Sequence, residues 1–262
     1  MVEPDAAAGL KKRTTDGRDE LSGKSEGKEE LAKLVEEISL LHNRLYAEGR
    51  RSLLLVLQGL DASGKDGTIK SVLTGVNPQG CRIVSFKEPS PVELAHDYLW
   101  RVHSACPERG EIGIFNRSHY EDVVTVRVRG LAPKEVWRRR PHHICEFERL
   151  LVDEGTTVVK VFLHVSRAEQ GKRLRERIAN PEKAWKFRRG DLDDRARWDE
   201  FMGAYDDVIG ETSTEWAPWY VVPADHNWVR NVLVARIVVD ALRRIDPQLP
   251  APEPGLSELE ID

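Results

Sequence analysis

Apolar positions along the chain change their spacing several times, and each change marks an element. Leu31, Leu34, Val35, Ile38, Leu41 and Leu45 recur every three or four residues, which predicts one face of a helix. The apolar run 53–57 is continuous, as expected of a strand covered on both sides. Further β-rich runs at 82–86, 112–115, 157–165 and 219–222 are separated by helical patterns, and this alternation predicts a parallel, doubly wound sheet. Between 133 and 154, Val136, Ile144, Phe147, Leu150 and Leu151 predict one long helix, opened by Pro133 and stopped at Gly155. Val229, Val232, Leu233, Ile237 and Val238 predict another near the end.

The ends read differently. Residues 1–27 are rich in Gly, Ala, Ser, Lys, Glu and Asp and poor in large apolar side chains, which predicts a disordered tail. Residues 28–248 then form a single domain, followed by a solvated, proline-rich tail at 249–262. A length of 262 residues suits one α/β domain with insertions.

Composition narrows the partners. A net charge of −4 with 32% charged residues excludes a general attraction to nucleic acid or to an anionic membrane, so any anion site is local. Cys81, Cys106 and Cys145 stand far apart with no CxxC pair, which offers neither a disulfide framework nor zinc-ligand spacing and fits a reducing cytoplasm. No apolar stretch resembles a signal peptide or approaches transmembrane length.

The string Gly59-Leu60-Asp61-Ala62-Ser63-Gly64-Lys65 has the GxxxxGK spacing, directly after a predicted strand and before a helical pattern at 68–73. Glycines let the backbone wrap closely round a phosphate, and the N–H groups from Gly59 through Gly67 and Thr68 can point at it. Lys65 adds a mobile positive charge. The bland alternative is a glycine turn between strand and helix. Two carboxylates make the loop unusual. Asp66 replaces the Ser or Thr that would ligate magnesium, and Asp61 lies where it would repel phosphates unless a cation stood between them. Asp61 is therefore a candidate magnesium ligand, with a loop-stabilising Asx turn as the alternative.

A second polar cluster, Asn116-Arg117-Ser118-His119-Tyr120-Glu121-Asp122, follows the third strand, at the sheet end where α/β proteins bind ligands. Arg117 can fork onto phosphate oxygens, and Asn116, Glu121 and Asp122 can orient magnesium, its waters or an acceptor. Ser118 with Glu121 also fits a capping box. His119 reads as structural, as do His142 and His143 beside Pro141, and Trp216 and Trp219 are expected to pack the last strand. From 167 to 197 basic residues crowd together with Trp185, Phe187 and Trp198. This segment is either a solvated helix face or a lid, about 167–208, that closes over phosphates and excludes water.

Taken in order, 59–69, Val76-Asn77-Pro78-Gln79-Gly80, Phe86-Lys87-Glu88-Pro89-Ser90, 115–122 and Ala217-Pro218-Trp219-Tyr220 resemble the polyphosphate kinase 2 family over about residues 30–246. The Asn-Arg-Ser-His-Tyr-Glu-Asp string is most similar to the family's third class, whose members phosphorylate nucleoside monophosphates and diphosphates. The resemblance implies a three-layer α/β/α P-loop kinase fold with a helical basic lid. It also implies a magnesium-dependent, reversible transfer of the terminal phosphoryl group of inorganic polyphosphate to AMP or ADP, with GMP and GDP as further acceptors.

By the same likeness, Asp61, Lys65 and Arg117 are catalytic. The loop residues Gly59, Ala62, Ser63, Gly64, Asp66, Gly67 and Thr68, with Lys87, Arg173 and Arg177, hold phosphates. Asn116, Glu121 and Asp122 face the acceptor, and Asp61 and Asp122 hold the metal. A homo-oligomer, dimer or tetramer, is implied. The chain departs from the family at Asn227, where a lysine is usual; Arg230 is a candidate for the missing charge. The alternative reading is an ATP-dependent nucleoside or nucleotide kinase of the thymidylate-kinase type. A nucleotide switch is disfavoured because no NKxD string occurs.

Overall fold

Five parallel strands lie side by side in the order β2-β3-β1-β4-β5: β1 Ser52–Gln58, β2 Cys81–Ser85, β3 Ile112–Asn116, β4 Thr156–His164 and β5 Trp219–Pro223. This is a computed structural model, and it describes residues 1–255. Every residue of β1 is buried, because helices cover both faces of the sheet centre; β2, at one edge, is half-exposed.

Between the strands run α1 Lys24–Glu48, α2 Lys65–Val72, α3 Pro91–Leu94, α4 Trp100–His103, α5 Glu121–Arg129, α6 Lys134–Trp137, α7 Arg140–Asp153, α8 Arg167–Ala179, α9 Pro181–Ala184, α10 Gly190–Ala196, α11 Trp198–Thr212 and α12 Asn227–Ile245. Helices α1, α2 and α12 pack together on one side, and α5, α7 and α11 on the other, giving the expected three-layer P-loop kinase fold. The core lies between these layers, around Leu54, Val56, Ile114, Val161, Phe162 and Val238. Every expected strand is present to within a residue or two.

Two expectations need correction. The predicted long helix at 133–154 is two, α6 and α7, with Pro141 in the first turn of α7. Proline lacks an N–H and its ring crowds the carbonyl four residues back, here that of Trp137, which kinks or breaks a helix at this point; the break falls at 138–139.

Residues 1–27 are not a tail. Val2 pairs with Trp219 on the open edge of β5, its N–H donating to the Trp219 carbonyl at 2.8 Å, and Val2, Ala8 and Leu10 are buried. Short 3-10 turns follow at Leu10–Lys12 and Arg18–Glu20, and α1 begins at Lys24. Composition suggested disorder because the segment carries few apolar groups. Its partners stand about 200 residues away and satisfy its backbone there. Of the expected tail 249–262, residues 256–262 lie outside the described residues.

Candidate active site

The loop after β1 is built around close approaches. Gly64 has φ 105°, and a Cβ on it would lie 1.9 Å from the Arg230 guanidinium, so no side chain fits there. The loop carbonyls are taken up by side-chain donors. Lys65 Nζ reaches the Gly59 carbonyl at 2.6 Å, Gln170 Nε2 the Asp61 carbonyl at 3.1 Å, and Arg173 Nη1 those of Ala62 and Ser63 at 3.1 Å each. Arg230 Nη1 donates to the Ser63 carbonyl at 3.3 Å. Dipoles that would repel an anion are thereby neutralised by nearby cations. Ser63 Oγ is buried in this loop without a hydrogen-bond partner.

Arg117 directly follows β3, and its N–H donates to the Leu57 carbonyl at 3.0 Å. Its φ of 62° is the left-handed region, uncommon for a residue with a long side chain, and its guanidinium donates to the Asp61 carboxylate. Burial opposes the charge on Asp61, but Arg117 and Lys65 together hold its carboxyl below the usual carboxylate range. Burial, reinforced by Arg117, pushes Lys65 down to about 8. Burial also works against the Arg117 charge, which Glu121 and Asp61 secure more firmly than usual. The result is a cluster of two cations and one carboxylate, with Lys65 buried and Arg117 reaching toward solvent, suited to compensating charge on a phosphoryl group.

Around it, Asn116 Nδ2 donates to Asp66 at 2.8 Å, and Lys186 reaches the other oxygen of Asp66 at 3.0 Å. The partial desolvation of this largely exposed carboxylate opposes its charge, yet these two donors hold its carboxyl low. Glu121 faces the same cleft, with Gly59, Asp61, Arg117 and Tyr205. Gln58, at the end of β1, was not singled out from the sequence. With its amide turned to satisfy its neighbours, its oxygen accepts from the Ser118 N–H at 3.0 Å and its nitrogen donates to Glu121 at 3.1 Å. Only its place at the end of a strand could have pointed to it.

Other expected residues stand elsewhere. Asp122 is buried against Arg101 at 3.3 Å, and burial raises its carboxyl despite that cation. Arg101 also donates to the Lys87 carbonyl, while the Lys87 side chain is exposed. The Arg173 guanidinium is taken up by the backbone: besides the two loop carbonyls it donates to those of Ala224 and Asp225 at 2.7 and 2.9 Å, and it pairs with Glu169. Arg177 lies 3.5 Å from Asp191, and its field reaches Asp61. The expected capping box is absent; the Ser118 hydroxyl meets Gln58 and the Tyr120 N–H, and Tyr120 stands at the cap of α5. Among the described residues, no three His, Cys, Asp or Glu side chains form a metal-binding group.

The turn after β3 is anchored in the core. His119 and Tyr120 both meet Glu148, at 3.4 and 2.9 Å, and Lys160 reaches Glu148 at 2.6 Å and the Thr212 carbonyl at the same distance. Burial works against the Glu148 charge, but Lys160 holds its carboxyl low. His119 is thus structural, and Trp219, at full burial, packs the last strand as expected.

Part of segment 167–208 lines the cleft, through Gln170, Asp194, Phe201 and Tyr205. Arg129 on α5 forks onto Asp194 on α10, and Asp194 and Phe201 line the cleft with the loop. A larger cavity of about 280 Å³ lies beyond it, against Lys134, Trp137 and Arg138, and contains none of the loop residues. No helix among the described residues is long and apolar enough to cross a membrane, and all three cysteines are free thiols.

Residues 21–250 match the model of the family described as polyphosphate kinase 2. The chain is 53% identical over 262 residues to an AMP/ADP-polyphosphate phosphotransferase of Meiothermus ruber, covering 100% of this chain and 98% of that protein. It is 44% identical over 233 residues to an ADP-polyphosphate phosphotransferase of Rhodopseudomonas palustris, covering 84% and 81%. Among solved structures, a polyphosphate kinase 2 from Arthrobacter aurescens superposes with a TM-score of 0.88 at 40% identity, over 91% of this chain and 86% of that one. The loop geometry and these likenesses agree over nearly the whole chain: it is an enzyme of the polyphosphate kinase 2 family.

Proposed function

We propose that the protein transfers the terminal phosphoryl group of inorganic polyphosphate to AMP and ADP, reversibly, as a magnesium-dependent cytoplasmic homo-oligomer. The observation that carries this reading is the Asp61 carboxylate clasped by Arg117 beside the buried Lys65. The names of the relatives from Meiothermus ruber and Rhodopseudomonas palustris support the donor and the acceptors. A putative GDP-polyphosphate phosphotransferase of Corynebacterium glutamicum, 32% identical, supports guanine nucleotides as further acceptors.

In the transfer, an oxygen of the acceptor's terminal phosphate attacks the terminal phosphorus of the chain. The anhydride bond to the next phosphate breaks, and the shortened chain leaves with the electron pair. That oxygen is already ionised near neutral pH, so no general base is needed. Lys65 and Arg117 compensate charge on the moving group. Gln58 and Ser118 steady Glu121, which with Asn116 faces the acceptor. The cover formed by α8–α11 keeps water from capturing the phosphoryl group.

Magnesium fits this donor set. It keeps several waters and needs only one or two carboxylates besides substrate phosphates, and Asp61 offers a carboxylate held in its charged form. Asp61 would hold the ion, which when bound neutralises phosphate charge.

The test is nucleotide products resolved over time with magnesium, polyphosphate as sole donor and AMP or ADP as acceptor. Appearance of ADP and ATP is expected. No product with polyphosphate, together with phosphorylation of a nucleoside from ATP, overturns the reading.

A further inference from the structure

The N-terminal segment does more than seal the edge of β5. Thr15 Oγ1 donates to Asp225 Oδ2 at 2.7 Å, and the Asp225 N–H donates back to the Thr15 carbonyl at 2.9 Å. Asp16 lies 3.3 Å from His226. Gly17 is pressed so closely on Pro223 that a Cβ there would fall 2.3 Å from its Cγ, and with φ 64° the position admits little but glycine. Segment 14–17 is therefore fixed on the turn that follows β5.

That turn is tied to the phosphate loop. The other oxygen of Asp225 accepts from the Ser166 N–H at 2.7 Å, and Ser166 caps the first turn of α8. Arg173, on the same helix, spans the two sites: one nitrogen donates to the Ala224 and Asp225 carbonyls, the other to those of Ala62 and Ser63. An unbroken path of hydrogen bonds thus runs from Thr15 through Asp225 and Arg173 to the backbone of the loop.

We infer that segment 14–17 is a strap that sets the phosphate loop through Asp225 and Arg173, making Thr15 and Asp225 positioning residues for anion binding and transfer. Loosening Asp225 frees the turn at one end of the Arg173 clamp, and a loop out of place by a fraction of an ångström binds and orients phosphate less well. The inference rests on the proposed function only for its kinetic readout.

The test compares wild type with Thr15→Val, Thr15→Ser, Asp225→Ala and Leu10→Ala. Each is titrated calorimetrically with inorganic tripolyphosphate and assayed for ADP formation from AMP and polyphosphate. Thr15→Val and Asp225→Ala are expected to raise the tripolyphosphate Kd by about tenfold at unchanged stoichiometry and to lower kcat/KM by a similar factor. Thr15→Ser restores both. Leu10 is buried in the turn just before the strap and lies outside the hydrogen-bond path, so Leu10→Ala lowers Tm and leaves Kd within about twofold of wild type. An unchanged Kd in Thr15→Val, or an equal rise in Leu10→Ala, overturns the positioning role. Should Asp225→Ala fail to fold, Thr15→Val decides alone. A wild type that binds tripolyphosphate but forms no ADP defeats the transfer reading, while the Kd ratios still judge the strap.

Discussion

Arg117 donates to the carboxylate of Asp61, so the acid inside the phosphate loop is held by a residue from the neighbouring strand end. Neither residue gains this arrangement from its own segment. Arg117 reaches Asp61 because β3 lies beside β1 in register, with Leu57 opposite Asn116. Lys65→Ala and Asp61→Ala are each expected to lower the rate of ADP formation by at least about a thousandfold, since the first removes a cation matched to the transferring group and the second the carboxylate that would hold magnesium beside it. Circular dichroism should show the fold unchanged in both variants, and near wild-type turnover in either would remove that residue from the chemistry.

The buried Lys65 gives the reaction a basic limit. Its ammonium titrates at about 8 rather than the ordinary lysine value, because burial disfavours the charge and Arg117 adds repulsion. As pH rises through about 8 the charge is lost, so kcat/KM should fall along a basic limb there. In Lys65→Arg, whatever activity remains should lack that limb, because arginine stays charged. Stability moves the other way. The folded-state value lies below the unfolded one, so between about 8 and 10.4 the unfolded chain holds the extra proton and rising pH favours the native state. Urea titrations at pH 7.5 and 9.5 check the sign, against whatever other groups contribute in that range.

Glu148 and Lys160 form an ion pair with both side chains essentially out of contact with water. Lys160→Met strands the carboxylate in the core and is expected to cost about 3–5 kcal/mol in denaturant unfolding. Lys160→Met with Glu148→Leu removes both charges and should recover much of that loss. Because Lys160 depresses the Glu148 carboxyl, the pair's contribution is fully present above the unfolded glutamate value, about 4.3, and disappears as pH falls through the lower folded value. A single variant as stable as wild type would mean that water reaches the site.

Lys186 crosses from the cover to Asp66 at the start of α2, but both side chains are substantially exposed. Such a pair contributes less than about 1 kcal/mol, so Lys186→Ala should raise KM for polyphosphate by no more than about fivefold. The effect should shrink in 0.5 M salt. A loss of kcat comparable to that of Lys65→Ala would place Lys186 among the reacting groups instead.

The strands and the phosphate loop were legible because their signals are local: a continuous apolar run, two glycines at fixed spacing and a lysine that opens a helix. Arg117 and Glu121 could be named from their place at a strand end. Asp122 and Arg173 could not be judged this way. Whether a carboxylate turns to the cleft or to Arg101, or a guanidinium to a phosphate or to four backbone carbonyls, depends on elements distant in sequence. Gln58 escaped notice because a lone amide ending an apolar strand carries no pattern. The N-terminal segment was misjudged for a related reason. Its few apolar groups looked too sparse to order it, yet its polar groups are met by residues near 210 and 225.

That last contact also sets an order of events during synthesis. Thr15 leaves the ribosome about 210 residues before the aspartate it holds. At about 5–20 residues per second the segment waits some ten seconds or more for its partner. Through that interval the outer edge of the sheet is unfinished, and β5 itself appears only near the end. Segment 14–17, made early, is thus among the last to be fastened, and a nascent chain halted before residue 225 has the strap and every residue of the phosphate loop but not yet the aspartate that joins them.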